Sequence, residues 1–64
     1  MFNEYDHVRI KKTGVSGEIL DISIDKDGNS WYIVESDERG APGGYGTEDS
    51  FKLYDCRAED LEKI

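Results

Sequence analysis

Sixty-four residues make one domain with a thin core, because a chain this short buries only about 60 % of its unfolded surface. Eight basic against fifteen acidic residues leave a net charge of −7, and apolar and charged residues each make up 36 %. The lone Cys56 excludes an internal disulfide framework, and no apolar run is long enough for a membrane span.

The first run, Asp6-His7-Val8-Arg9-Ile10-Lys11, alternates strictly. Val8 and Ile10 share one face, and His7, Arg9 and Lys11 the other, as in a half-buried strand. A loop follows, in which Gly14 and Gly17 allow positive φ or a close backbone approach. The second run, Glu18 to Asp25, alternates through Leu20, Ile22 and Ile24 with Ile19 out of phase, which predicts a bulged or sharply curved strand. Lys26-Asp27-Gly28-Asn29 is a tight-hairpin signal. The third strand, Ser30 to Ser36, is the most β-prone stretch.

From Asp37 to Ser50 the pattern stops. The stretch holds four of the seven glycines and the only proline, and reads as a long acidic loop. Phe51 to Cys56 returns to strand. Ala58-Glu59-Asp60-Leu61 suits a single helical turn, and Glu62-Lys63-Ile64 a last short strand. Five short strands over a thin core predict an all-β small barrel, since closure removes edges that would otherwise aggregate. Its predicted core is Val8, Ile10, Ile19, Ile22, Tyr32, Val34 and Leu61.

The residues Asp6-x-Val8-x-Ile10, Thr13-Gly14-x-x-Gly17-x-Ile19-x-x-Ile22, Tyr32-x-Val34 and Glu59-Asp60-Leu61-Glu62-x-Ile64 span nearly the whole chain. In them the sequence resembles SH3-like small barrels of the bacterial type, the group that includes KOW and Tudor-like modules. More narrowly, it resembles short bacterial proteins that consist of this barrel alone. The resemblance implies a five-stranded SH3-like barrel with a short helical turn before the last strand. Two departures separate it from KOW motifs. These carry a glycine immediately before the first aspartate, where this chain has Tyr5, and a longer glycine-rich segment between the first two strands. Leu53-Tyr54-Asp55 matches part of the signature of eukaryotic signalling SH3 domains, but lies at the opposite end of the chain and is read as coincidence.

Chemistry is sparsely provisioned. His7 and Cys56 fall on different strands, and no serine stands at a recognisable spacing from the histidine, so no enzyme is expected. Asp55 and Glu59 beside Cys56 would raise its pKa and make the thiol less reactive. Asp25-Lys26-Asp27-Gly28-Asn29 hints at a calcium loop. Aligned on Gly28, however, it has Ser23 and Val34 where carboxylates are required. No metal or cofactor is expected.

The expected role is binding to another protein, in a cytoplasmic chain that is monomeric or weakly dimeric and has no membrane partner. If Tyr32 and Val34 point inward, Trp31 is left on the outer wall as an interface anchor, or else it packs beneath the long loop. Trp31, Tyr45, Asp37 and Glu38 are the candidate contacts. Asp37, Glu38, Glu48 and Asp49 favour a basic or neutral partner. The alternative is nucleic-acid or ribosome association through Arg9, Lys11 and Lys12. The overall charge opposes it: residues 1–34 carry −2 and residues 35–64 carry −5. Met1-Phe2-Asn3-Glu4 has neither a basic nor an apolar region, so no signal peptide is expected.

Overall fold

The computed structural model describes residues 2–64. Among them five strands form: β1 His7–Ile10, β2 Ser16–Ile24, β3 Ser30–Arg39, β4 Phe51–Cys56 and β5 Leu61–Lys63. A 3-10 turn, Ala58–Asp60, precedes β5. The strands form one antiparallel sheet in the order β4-β3-β2-β1-β5. β4 and β5 are its two edges, and among the described residues no ladder joins them.

One face of the sheet is apolar. Val8, Ile19 and Val34 are wholly shielded from solvent, and Ile10, Tyr32, Tyr54, Cys56 and Leu61 complete the core. Burying an aliphatic side chain of this size stabilises a fold by about 1.5–3 kcal/mol. Both edge strands contribute: Tyr54 and Cys56 from β4, Leu61 from β5. Six of the seven predicted core residues are buried. The seventh, Ile22, is only partly buried at the margin of the core. It follows the register shift between Ile19 and Asp21, where the predicted bulge lies. Tyr54 and Cys56 enter the core because β4 pairs Tyr54 with Val34 and Cys56 with Tyr32. The Tyr54 hydroxyl donates to the Pro42 carbonyl at 2.7 Å, so its polar end is satisfied.

β3 runs three residues further than its sequence pattern suggests, so the long loop starts at Gly40 rather than Asp37. The extension depends on Ser36, which is buried. Its hydroxyl donates to the Glu38 carbonyl at 2.7 Å and accepts the Lys52 N–H at 3.0 Å. This bridges the register shift between Glu35 and Arg39, after which Arg39 pairs with Phe51. The Gly40 N–H donates to the Ser50 carbonyl at 2.9 Å and closes the base of the loop.

The two glycines of the first loop play different parts. Gly14 takes φ +78° and turns the chain. Gly17 is buried in β2, and a Cβ there would overlap the Glu35 carbonyl oxygen and lie 2.9 Å from Val34 Cγ1. The backbone of Tyr5 takes the left-handed conformation, φ 70°, which glycine adopts without strain and a bulkier residue rarely does.

Gly17→Ala forces β2 away from β3 in a domain whose total stability is about 3–10 kcal/mol for this length. A loss of about 2–3 kcal/mol, typical of overpacking, is expected in urea denaturation. An unchanged midpoint would show that the two strands do not approach this closely.

Candidate functional site

The face of the sheet turned away from the core is built in cross-strand rows. On β3, Trp31, Ile33 and Glu35 alternate with buried Tyr32, Val34 and Ser36, and all three are half-buried. Register sets their neighbours. Ser23 of β2 stands opposite Trp31. Ile33 lies between Asp21 of β2 and Asp55 of β4, and Glu35 lies between Glu18 of β2 and Leu53 of β4. An apolar strip of Trp31, Ile33 and Leu53 is therefore bordered by the carboxylates of Glu18, Asp21, Glu35 and Asp55.

Trp31 is positioned by the hairpin. One Asp25 carboxylate oxygen accepts the N–H groups of Asp27 at 2.9 Å and Asn29 at 3.0 Å. The other accepts the Trp31 indole N–H at 3.1 Å. These donors fix the carboxylate within the hairpin, and Gly28 at φ +84° completes the turn. The Arg57 guanidinium lies 4.7 Å from the centre of the indole ring. Trp31 is thus neither bare on the outer wall nor tied to the long loop: its polar and stacking partners come from the hairpin turn and from the residue after β4. A cation over an indole face contributes about 0.5–1 kcal/mol at an exposed site.

The other expected contacts lie elsewhere. Asp37, now within β3, accepts a 2.6 Å hydrogen bond from the ring of His7. Glu38 follows it on the exposed end of the strand. Both border a groove of about 580 Å³ between the β1–β2 loop and residues 36–42. Tyr45 bridges to Leu53 on the outer edge of β4 and is 63 % exposed. It borders a second groove, of about 480 Å³, with Tyr54, Cys56 and Lys12. Trp31 borders neither groove, so the four candidate contacts do not converge on one cavity. Sequence reasoning missed Ile33, Leu53 and the four carboxylates. Alternation places Ile33 beside Trp31, but Glu18 and Asp21 are an odd number of residues apart, and only the bulge between Ile19 and Asp21 brings both to the outer face, with Glu18 opposite Glu35.

His7 faces outward and Cys56 inward, so the two do not meet. Burial pushes the Cys56 thiol up to about 11, and the carboxylates of Asp60 and Asp55 add to the shift. Asp60 takes the part the sequence assigned to Glu59. A buried thiol held protonated is a packing group rather than a nucleophile. Of the predicted basic stretch, Arg9 is engaged by Glu62 at 3.1 Å, while Lys11 and Lys12 are exposed where β1 turns back. No helix among the described residues is long and apolar enough to cross a membrane. Compared with known proteins, the chain matches no family model, no curated protein and no solved structure.

Asp25 carries a pH prediction. The N–H of Asn29, then the Trp31 indole and the N–H of Asp27, hold its carboxyl below the ordinary 3.8. A depressed folded pKa contributes stability that is complete above 3.8 and is lost as pH falls through the lower folded value. In urea midpoints measured from neutral pH downward, Asp25→Asn is expected to weaken the protein at neutral pH and to flatten its acid limb below 3.8. Parallel curves for the two proteins would contradict this role.

Proposed function

We propose that the chain is an SH3-like barrel without catalytic activity, working in the cytoplasm as a module that binds another protein. Several features favour the barrel. The 3-10 turn carries the chain from one sheet edge to the other, and side chains from both edges enter one core. The turn is tied to the end of β1, where the Lys11 N–H donates to the Asp60 carbonyl at 2.9 Å. A sheet whose edges converge on a single interior protects those edges from pairing with other chains.

The observation that carries the binding role is the outer strip of Trp31, Ile33 and Leu53. These residues are withheld from the core by strand alternation and are fixed in place by the ladder. Aromatic and aliphatic groups preset on a rigid sheet lose little rotamer freedom on contact, which makes them efficient anchors. Tyr45 and the loop from Gly40 to Ser50 lie along the outer edge of β4, next to Leu53, and can extend the contact. The repulsive overall charge and the engagement of Arg9 by Glu62 weigh against nucleic acid as the partner.

The test is selection of twelve-residue peptides from a random library against the folded chain. Enriched peptides are expected to change Trp31 emission and to shift the methyl signals of Ile33 and Leu53. Trp31→Ala is expected to weaken them about thirtyfold, the equivalent of a 2 kcal/mol anchor. Failure to enrich any peptide, or oligonucleotide binding that falls steeply with salt and is lost on changing Lys11 and Lys12, would overturn the reading.

A further inference from the structure

Resting on that reading, the charges around the strip narrow the choice of partner. Glu18 and Glu35 are directly opposed in the ladder. Opposed residues of an antiparallel pair have Cβ atoms about 4.5–5.5 Å apart, and like charges there destabilise the sheet. His7 of β1 stands opposite Glu18 on its other side, but its ring is hydrogen-bonded to Asp37. The ion pairs among the described residues are His7–Asp37, Arg9–Glu62, Arg57–Glu59 and Lys63–Asp6. None of them uses Glu18, Glu35, Asp21 or Asp55. The acidic groups bordering the apolar strip have no ion-pair partner among the described residues, whereas Asp6, Glu59 and Glu62 each have a cation and Asp37 has the His7 ring.

The surface also has a recess at this point. His7, Glu18, Glu35, Ser36, Asp37 and Phe51 line a depression of about 270 Å³. Two unpaired carboxylates and an aromatic wall meet there. Phe51 already shows its affinity for a cation, since the Arg39 guanidinium lies 5.2 Å from its ring centre. Successive rows on one face are about 7 Å apart along a strand. The Glu18–Glu35 row and the Asp21–Asp55 row thus offer two anionic positions at that spacing, with Ile33 and Leu53 beside them.

We infer that this outer face binds a cationic amphipathic segment of another protein. One lysine or arginine enters the depression at Glu18 and Glu35, a second two residues along the segment reaches Asp21 or Asp55 beside Ile33, and apolar side chains on the same face of the segment rest on Trp31, Ile33 and Leu53. The partner is chosen by charge together with apolar contact, so neither property suffices alone.

The test uses three synthetic twelve-residue peptides, titrated against the intact chain by calorimetry. One repeats Lys-Ser-Lys-Ser-Val-Ser, which puts lysine and valine on the same face of an extended segment; in the second serine replaces each valine, and in the third glutamate replaces each lysine. The lysine–valine peptide is expected to bind, and the lysine–serine peptide at least about tenfold more weakly, as expected when apolar anchors are removed. The glutamate peptide should not bind. The double variant Glu18→Gln, Glu35→Gln is expected to weaken the lysine–valine peptide about tenfold, because charge pairs at an interface are lost. A control with the same change in net charge, Glu4→Gln with Glu62→Gln on the far edge strand β5, should stay within about twofold, since charges at a distance are screened. Removal of the opposed acids relieves repulsion, so loss of the fold does not confound the result. Equal weakening by both double variants would reduce the effect to bulk attraction and overturn the inference. So would equal binding of the lysine–serine peptide. If library-selected neutral or acidic peptides engage Trp31 while the lysine–valine peptide does not, the inference fails and the protein-binding reading stands. If no peptide engages this face, both fall.

Discussion

Where Gly17 lies against β3, the Glu35 carbonyl fills the space a side chain would need. That contact sets how closely β2 and β3 approach, and these two strands form the middle of the sheet order. Val8 and Ser36 flank Gly17 in the ladders to β1 and β3. The wholly shielded core residues Val8, Ile19 and Val34 surround the same crossing. In a domain this small the apolar interior is only a few side chains thick, so one extra methyl group at the crossing is felt throughout.

The same register governs the outer face. With Gly17 opposite Ser36, Glu18 must stand opposite Glu35, and the bulge after Ile19 brings Asp21 opposite Ile33. Packing inside and charge outside are thus two consequences of one alignment. A sheet optimised only for stability would not oppose two glutamates and leave both unpaired. They stand beside Trp31, Ile33 and Leu53, so the same alignment that builds the core also sets the charge around the outer strip.

Much of the fold was legible in the sequence because its signals are local. Val8 and Ile10 alternate with charged neighbours, Asp27-Gly28 turns the chain, and the misplaced Ile19 announces a bulge; each lies where the residues put it. Phe51–Cys56 matches its predicted bounds. What was not legible depends on pairing between distant segments. Tyr54 and Cys56 are core residues because of their partners in β3, and β3 extends to Arg39 because Ser36 bonds across to Lys52. For the candidate site the division is similar. Trp31 stood out from its own strand, but its cover comes from Arg57, twenty-six positions away, and from Asp25. Tyr45 and Asp37 were both candidate contacts, while the structure sends them to separate grooves.

The central claim is that strand alternation separates a sealed face of Val8, Ile19 and Val34 from an outward face of Ile33 and Leu53. A soluble paramagnetic agent added to the methyl-labelled protein tests it directly. Broadening of the Ile33 and Leu53 methyl signals, with those of Val8, Ile19 and Val34 left sharp, is the result the account predicts. Uniform broadening, or a shielded Ile33 beside an attenuated Val34, would contradict it.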